Sequence, residues 1–328
     1  MPHKHKPKPQ PPRPAPQPAP GPQPPSPAPQ PVKPAPAPAP AKPRDLADPA
    51  VTKDEKTKQP EPYDYKKNDR GAGLYGPNGV TAADVRQGYI GDCYLAAALA
   101  AVAGTKPDAI KGALKDNGDG TYTVRFWELG WDGKKTAHLE TVDADLPHSG
   151  DRPAYANSTE QVEGKDFMEL WPSVIEKAYA SWKGSYEAIG HGGNSADVIT
   201  GLTGEACKNA VTAGAGDNDP LWTRMQKASQ EKRPMTASTG GEEDERYKDP
   251  KAGVYGWHAY TVMGVEEKKA AAGKPERSVT MRNPWAVQRR SSDAAAVGQT
   301  DNKTAGGVFV LPWAEFRRLY DNVVIQGG

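Results

Sequence analysis

The first 44 residues of the chain cannot belong to a packed core, and this limits where folding can start. From Met1 to Arg44, prolines alternate with Ala, Gln and Lys, and the stretch carries seven Lys or Arg and no acidic residue. Proline lacks a backbone N–H and has a fixed φ, so such a segment favours the extended polyproline II conformation. We therefore predict that residues 1–44 form a disordered basic tail.

The next segment, residues 45–69, is polar as well. It carries many charged side chains and few large apolar ones, so its composition favours a linker between the tail and a folded body. About 260 residues remain, which is enough chain for one large or two modest domains. We expect the folded body to begin near residue 70.

Charge and cysteine usage exclude several classes of protein. The net charge is +1 and the positive excess lies in the tail, which argues against a body that binds nucleic acid. No window approaches roughly 18 consecutive apolar residues, and the N-terminus lacks the apolar stretch of a secretory signal, so we predict a cytoplasmic protein without a membrane span. Cys93 and Cys207 are too few for a disulfide framework or a zinc site, and we expect a monomer.

The first part of the body has helical patterns. Residues 93–103 are small apolar helix formers, and Asp92 stands where an N-cap would lie. Residues 167–181 carry apolar side chains at three- and four-residue spacing, which predicts an amphipathic helix. Shorter helices are predicted at 108–115 and 195–202.

Strand patterns accompany these helices. Residues 121–129 (TYTVRFWEL) alternate between apolar and polar side chains, and residues 138–147 (HLETVDADLP) supply a hairpin partner. Beyond Cys207, strand-like stretches alternate with polar loops. We therefore predict an α+β fold of two lobes, a helical lobe over 70–204 and an antiparallel, β-rich lobe over 205–328, with a cleft between them.

The stretch QGYIGDCYLAAALAAV places a cysteine where a helix begins. At this position, unpaired N–H groups and the helix dipole can stabilise a thiolate and lower the pKa of Cys93. Gln87 lies six residues earlier, across a turn that Gly88 and Gly91 let close tightly, so its amide can lie beside the Cys93 N–H. Two such donors are what the oxyanion of an acyl-transfer reaction requires. The alternative is a small, buried and unreactive cysteine.

A thiol nucleophile also needs an imidazole and a group that orients the imidazole. Among the six histidines, His258 begins a predicted core strand (GWHAYTVMGV), whereas the others lie in the tail, the hairpin or loops. The next strand ends in RNPWA, which can bring the amide of Asn283 to the imidazole, and Trp285 can shield that contact from water. Taken alone, each of these residues also fits a structural role.

Together, QGYIGDCYLAAALAAV, GWHAYTVMGV and MRNPWA resemble the three active-site blocks of the calpain family of cysteine proteases, in the same order. The segment SVIEKAYASWKGSYEAIGHGGNSADVITGLTG is similar to the part of calpains that closes the first protease lobe, so the resemblance runs from about Asp69 to the C-terminus. It implies a papain-like, two-lobed protease core. It also implies four roles: Cys93 as nucleophile, His258 as general base and acid, Asn283 as orienting residue and Gln87 as oxyanion donor.

Three positions depart from the pattern of that family. Tyr94 stands where the family usually has Trp, and Trp257 and Ala286 stand where it usually has Gly. Trp257 bears most on function, because an indole beside His258 can narrow the cleft, change peptide selectivity or hold the site closed.

The resemblance also implies calcium, because calpain cores are activated by calcium bound through carboxylates and backbone carbonyls. Asp84 and Glu169 match the acidic ligands of the first lobe, and carbonyls near Pro77 and Gly79 would complete a site there. Ordinary surface acids are the alternative. In the second lobe residues 289–290 are arginines where acidic ligands would lie, so at most one calcium ion is expected.

These patterns predict a calpain-like cysteine endopeptidase that hydrolyses protein or peptide substrates through a Cys-His-Asn triad, with calcium as an activating ion. Two alternatives stay open: an acyltransferase of the transglutaminase type, and a catalytically silent module that binds a peptide in its cleft. For the Pro-rich tail, a flexible spacer, a ligand for a partner's aromatic groove and an autoproteolytic pro-segment all fit the composition.

Overall fold

The computed structural model describes residues 44–67, 73–158, 160–162, 165–212, 214, 216, 219–248, 254–269, 275–286 and 306–327. Residues 1–43 of the predicted tail and the arginines at 289–290 lie outside these ranges. The folded body, Pro40–Gly328, is a unit of its own.

Helices and antiparallel strands both build the body, so the predicted α+β class is confirmed. The helices are α1 (Cys93–Thr105), α2 (Pro107–Ala113), α3 (Trp171–Lys183), α4 (Tyr186–Ile189), α5 (Ser195–Thr203), α6 (Pro220–Gln230), α7 (Glu245–Lys248) and α8 (Trp313–Leu319), with a 3₁₀ turn at Ala82–Asp84. The strands are β1 (Asp64–Lys67), β2 (Leu114–Asp116), β3 (Thr121–Leu129), β4 (Lys135–Asp143), β5 (Asp145–Ser149), β6 (Arg152–Pro153), β7 (Glu160–Val162), β8 (Lys165–Phe167), β9 (Cys207–Val211), β10 (Met235–Ser238), β11 (Ala259–Lys269), β12 (Pro275–Arg282), β13 (Val308–Pro312) and β14 (Asn322–Gln326).

Helix α1 is buried on all sides, as its run of small apolar residues predicts. Every residue from Tyr94 to Ala103 is buried, and the helix packs against α5 and β11. Small side chains permit such close approach of neighbouring elements. The element that begins with Cys93 is therefore held rigidly.

Helix α3 begins four residues later than the apolar spacing indicates, because residues 165–167 form β8 instead. Pro172 lies in the first turn, where its missing N–H costs no helical hydrogen bond. Gly184, with φ of 104°, ends the helix. Two neighbouring charged residues of α3, Glu176 and Lys177, are each only 1% exposed.

The second half of the body is built on a six-stranded sheet with the order β13-β12-β11-β10-β14-β9. Neighbouring strands of this sheet run antiparallel to one another. Helix α6, which the strand patterns did not indicate, packs on β11. In the first half, β3 pairs with β4 from Thr121↔Asp143 to Leu129↔Lys135, so the predicted hairpin is confirmed.

Two hydrophobic clusters fill the body. The first is formed mainly by residues from 80–202 and includes Trp171 and the apolar side chains of α1. The second is formed by residues from 210–325 and includes Trp222 and Phe316. Within the described part of the chain, none of the helices combines the length and the apolar composition of a membrane span.

Residues 44–67, which composition assigns to a linker, pack against the body. Strand β1 pairs with β5, and the Leu46 N–H donates to Asp143 Oδ2 at 2.7 Å. Asp48 forms an ion pair with the buried Lys177 at 2.6 Å. Val51, Tyr63 and Tyr65 of the segment also pack against the first hydrophobic cluster, but these scattered apolar residues form no periodic pattern that composition would show.

Candidate active site

His258 and Asn283 meet because they flank neighbouring strands. His258 directly precedes β11 and Asn283 directly follows β12, and the antiparallel register pairs Thr261 with Arg282 at this end of the sheet. His258 Nε2 lies 3.0 Å from Asn283 Oδ1. Both side chains are buried, so the structure brings the two residues together away from water.

The Asn283 amide fixes the tautomer of His258. Its Oδ1 atom also accepts a hydrogen bond from the Trp285 backbone N–H at 3.1 Å, so the oxygen rather than the nitrogen of the amide faces the ring. Since an amide oxygen only accepts, Nε2 of His258 carries the hydrogen. The lone pair of the neutral imidazole is then on Nδ1, where it can accept a proton.

Cys93 is the first residue of α1 and is partly buried. The backbone N–H of Ala259, the residue after His258, hydrogen-bonds the Cys93 sulfur. Helix α1 is joined to β11 by a second hydrogen bond, from Thr261 Oγ1 to Ala97 O at 2.8 Å. The thiol therefore contacts the segment that carries the imidazole.

Burial decides the charge of both groups. Loss of solvation raises the pKa of Cys93 to about 11, against a smaller opposing effect of the Ala259 N–H. Loss of solvation lowers the pKa of His258 to about 4, although the hydrogen bond to Asn283 opposes this shift. The lowered Cys93 pKa predicted from the helix N-terminus is wrong for this structure, because desolvation outweighs the dipole. At pH 7 the thiol and the imidazole are both neutral.

The turn before Cys93 is closed by contacts that only glycine permits. A Cβ atom on Gly88 would lie 2.3 Å from the Ala154 carbonyl oxygen, and one on Gly91 would lie 2.2 Å from the Gly190 carbonyl oxygen. Both distances are far below contact, and the obstructing atoms are backbone. The two glycines therefore fix the path of the chain into α1.

Gln87 lies buried at the start of this turn. Its Nε2 atom donates to the Ile90 carbonyl oxygen at 2.6 Å, which orients the amide and uses one of its two hydrogens. Its backbone N–H donates to the Pro284 carbonyl oxygen at 3.0 Å. Gln87 is thereby linked to the segment that carries Asn283.

Aromatic rings surround the imidazole of His258. The ring centroid of Trp285 lies 4.3 Å from that of His258, and those of Tyr260 and Tyr255 lie at 4.8 Å and 6.2 Å. Trp285 thus covers the contact with Asn283, the position predicted for it. These rings are the physical cause of the desolvation that lowers the pKa of His258.

Two of the residues that depart from the family pattern, Trp257 and Ala286, stand where glycine is usual, and both have left-handed backbone. Trp257 has φ of 48° and Ala286 has φ of 57°, a conformation in which a side chain costs about 1 kcal/mol relative to glycine. The Trp257 side chain is 78% exposed, and the backbone N–H of Trp257 donates to the Gly240 carbonyl oxygen at 2.5 Å. The third departure, Tyr94, is buried instead.

We expect Trp257→Gly to raise the free energy of unfolding by up to about 1 kcal/mol, because glycine relieves the backbone strain and little buried surface is lost. Chemical denaturation measures the change. Trp131→Gly is the matched control, since Trp131 is fully exposed and its φ is not positive. Equal effects of the two substitutions would contradict the assignment of strain to position 257.

Asp84 and Glu169 also come together. The Glu169 carboxylate accepts hydrogen bonds from the Gly76 N–H at 2.5 Å and from Ser158 Oγ at 3.1 Å, and Asp84 accepts one from Trp171 Nε1 at 3.2 Å. Loss of solvation, followed by the nearby charge of Asp84, raises the pKa of Glu169 to about 7. Two facing acids of this kind suit a bound cation, which would relieve their repulsion.

Gly79, the third predicted ligand, lies in the loop beside these acids. Its N–H donates to the Gly76 carbonyl oxygen at 3.0 Å, and its φ of 70° requires the freedom of glycine. Gly76 in turn contacts Glu169. The three predicted ligands therefore border one region of the body.

A second acidic group, Asp45, Asp143 and Asp145, has the spacing of a metal site. Lys177 Nζ lies 2.6 Å from an oxygen of Asp143 and 2.6 Å from one of Asp145. The ammonium group already supplies the positive charge that these carboxylates need. This group is accordingly a weaker candidate for a metal than Asp84 and Glu169.

Three buried charged residues near the site were not found from the sequence. Asp92 and Glu176 are in contact beneath the start of α1, and Arg282 donates to the Val85 carbonyl oxygen at 2.6 Å. The sequence predicts Asp92 only as an N-cap, yet its side chain makes no capping hydrogen bond. One signal in the sequence indicates such a buried charge: Glu176 is an acidic residue at an apolar position of a predicted helix.

These observations define a class of α+β protein. A cysteine at the start of a helix contacts the chain segment that carries a buried histidine, and a neighbouring amide holds the imidazole of that histidine in one tautomer. The sequence profile described as "Calpain family cysteine protease" matches residues 41–297. The chain belongs to the calpain family of cysteine proteases.

Individual relatives agree with this assignment. The chain is 29% identical over 272 residues to the calpain-type cysteine protease DEK1 of Zea mays, a match that covers 75% of this chain and 11% of that protein. It is 28% identical over 270 residues to calpain-8 of Rattus norvegicus, covering 75% of this chain and 36% of the relative. The chain thus spans well under two thirds of the length of either protein.

Among solved structures, SERA5E from Plasmodium falciparum is 15% identical, with a TM-score of 0.23 and coverage of 37% of this chain and 46% of that chain.

Proposed function

We propose that the chain is a cysteine endopeptidase in which Cys93, His258 and Asn283 form the catalytic triad and Gln87 supplies an oxyanion donor. The observation that carries the proposal is the 3.0 Å contact between His258 and Asn283, because it leaves Nδ1 as the proton acceptor beside a thiol-bearing segment. Membership of a cysteine protease family supports the same chemistry.

In the proposed reaction, Cys93 Sγ attacks the carbonyl carbon of a peptide bond while its proton passes to Nδ1 of His258. Since the thiol and the imidazole are both neutral in the resting site, attack and proton transfer occur together. The Cys93 N–H and the free hydrogen of Gln87 Nε2 stabilise the oxyanion. His258 then protonates the leaving amine, and water hydrolyses the thioester with His258 as the base.

The proposed core has two lobes, 70–204 and 205–328, arranged as in papain-like proteases. Separate hydrophobic clusters in the two halves support this division. The nucleophile would belong to the first lobe, and the imidazole and the orienting amide to the second. A substrate would then bind where the two lobes meet.

Casein digestion tests the proposal. We expect the full chain to release new α-amino termini and the Cys93→Ala variant to release none, whereas Cys207→Ser, the matched control at the other cysteine, retains the activity of the wild type. Ammonia or cross-linked product in place of new termini would instead support acyl transfer to an amine. Binding of casein without any Cys93-dependent product would support the silent peptide-binding module.

We further propose that one calcium ion activates the enzyme through Asp84, Glu169 and the Gly79 carbonyl. Two neighbouring carboxylates, the buried Glu169 and the half-buried Asp84, supply the hard oxygen ligands that calcium prefers, and bound calcium would neutralise their repulsion. The calcium ion would have a structural role. It would stabilise the first lobe beside the turn that contains Gln87.

We expect calcium to raise the melting temperature of the wild type and to have a much smaller effect on Glu169→Gln, because the amide keeps the hydrogen-bonding shape but removes a charged ligand. Thermal unfolding with calcium and with chelator measures this without any activity. Asp45→Asn, in the other acidic group, is the control and should respond as the wild type does. A full calcium response of Glu169→Gln would exclude the proposed site.

A further inference from the structure

Two carboxyl groups meet in the interior directly below the nucleophile. Asp92, the residue before Cys93, and Glu176, from the middle of α3, are each only 1% exposed. Their side chains are within hydrogen-bonding contact of each other. The pair therefore joins the start of α1 to α3.

Few donors reach this pair. The Ala156 backbone N–H lies 3.0 Å from both oxygens of Glu176, whereas neither oxygen of Asp92 receives a hydrogen bond from another N–H or O–H of the described chain. Lys177, the neighbouring cation on α3, is engaged by Asp48, Asp143 and Asp145. Two buried carboxylates without a cation cannot both be ionised, so the pair must hold at least one proton.

The other titratable groups around the pair are neutral. Tyr155 and Tyr186 face Glu176, and burial raises the pKa of Tyr155 to about 12 and that of Tyr186 well above its usual value. On α1, Cys93 and Tyr94 lie beside Asp92, and loss of solvation raises the pKa of both. The charge near the nucleophile is therefore decided within the carboxyl pair.

Both carboxyl groups favour the protonated form. Loss of solvation raises the pKa of Asp92 to about 7, while the hydrogen bond from Glu176 opposes this shift. Loss of solvation and the charge of Asp92 together raise the pKa of Glu176 well above its usual value. A negative charge on Asp92 lies next to the thiol and disfavours the thiolate, whereas a charge on Glu176 is one residue farther from the nucleophile.

We propose that Asp92 and Glu176 share one proton, that this hydrogen bond anchors the first turn of α1 to α3, and that the side on which the charge lies sets the reactivity of Cys93. Asp92 and Glu176 are then positioning residues that act through the nucleophile. The inference builds on the proposed function only in treating Cys93 as that nucleophile.

Two isosteric substitutions place the charge on opposite sides of the pair. Glu176→Gln keeps a neutral donor on α3 and confines the charge to Asp92. Asp92→Asn keeps a donor beside Cys93 and confines the charge to Glu176, farther from the thiol. Both substitutions preserve one hydrogen bond across the pair and change the volume little.

The measurement is the rate of iodoacetamide alkylation of the full chain across pH 6–10, resolved by peptide mass spectrometry. We expect Asp92→Asn to alkylate at Cys93 about tenfold faster than Glu176→Gln below the thiol pKa, since removing the charge adjacent to the thiol favours the thiolate. The rate of the wild type should lie within the range that the two variants define. Cys207 in the same molecules is an internal control, and its rate should not change.

Equal Cys93 rates in the two variants, or a faster rate in Glu176→Gln, would overturn the proposal. Loss of the folded state in either variant would overturn it as well, because an amide reproduces the shared hydrogen bond. Alkylation requires no proteolysis, so a chain that shows the expected rates but does not cleave casein would refute the proposed function and leave this inference standing.

Discussion

Replacing Lys177 with alanine is expected to lower the free energy of unfolding by about 3–5 kcal/mol, which is the usual effect of removing one partner from a buried ion pair. Lys177 is 1% exposed, and its Nζ atom lies 2.6 Å from a carboxylate oxygen of each of Asp48, Asp143 and Asp145. In the variant, three acids would face one another around an empty volume.

The ion pairs also decide the charge of Lys177. Burial alone would lower the pKa of its ammonium group, but hydrogen bonds from the ammonium to Asp143, Asp145 and Asp48 raise the pKa above its usual value. Lys177 therefore stays charged over the whole neutral range. Its removal costs stability through like-charge repulsion as well as through lost packing.

Urea denaturation at pH 7 measures this effect, with Lys183→Ala as the control. Lys183 lies in the last turn of the same helix but is exposed, so its loss should cost less than about 1 kcal/mol. The difference between the variants should shrink toward pH 4, because protonation removes the repulsion among the remaining carboxylates. Similar losses for both variants would show that the cluster around Lys177 contributes little.

The N-terminal segment of the body depends on this cluster. Asp48 belongs to residues 44–67, whose apolar side chains are few and scattered, although Tyr63 and Tyr65 pack against the first hydrophobic cluster. In addition to its ion pair with Lys177, the segment is held by the bond from Thr52 N–H to Tyr155 Oη at 2.8 Å. Polar contacts of this kind leave no periodic pattern in the sequence, which is why composition alone favoured a linker.

The apolar elements, by contrast, could be predicted closely. The start of α1 at Cys93 and the β3–β4 hairpin follow directly from residue pattern. The pairing of His258 with Asn283 required one further step, because it depends on two strands being neighbours in the same sheet. Their order along the chain made that adjacency a reasonable expectation.

The charge states of the site could not be predicted in the same way. A helix N-terminus lowers a thiol pKa only where solvent or a cation also stabilises the thiolate, and Cys93 is desolvated and next to Asp92. The contact of Asp92 with Glu176 joins residues 84 positions apart, and neither residue has a local pattern that identifies the other. Desolvation is a property of the assembled body.

Helix α3 links these observations. Its adjacent residues Glu176 and Lys177 are both buried but point to different partners: Glu176 contacts Asp92 at the start of α1, and Lys177 holds Asp48 and the β4–β5 corner. One turn of helix therefore supports both the nucleophile and the N-terminal segment. Because the two residues share one turn of backbone, the effects of substitutions at Glu176 and Lys177 on the free energy of unfolding should not be additive.

The second large effect is expected in catalysis: His258→Ala should lower kcat/KM for peptide hydrolysis by roughly 10⁴-fold or more, as removal of a triad base does in other nucleophilic enzymes. Asn283→Ala should cost less, on the order of 10²-fold, since the imidazole remains but loses the acceptor that holds its hydrogen on Nε2.

Initial rates on a fluorogenic peptide measure both variants, and His138→Ala is the control. His138 also contacts an acceptor, with its Nε2 atom 2.9 Å from Glu140 Oε2, but it lies on β4 and has no contact with Cys93, so its loss should leave kcat/KM within about twofold. In the wild type, the fall of kcat/KM on the acid side should lie below pH 6. Desolvation lowers the pKa of His258, and the imidazole ceases to act as a base only when it is protonated. A His258→Ala enzyme within tenfold of the wild type would exclude His258 as the base, and the proton acceptor for Cys93 would then have to be sought elsewhere.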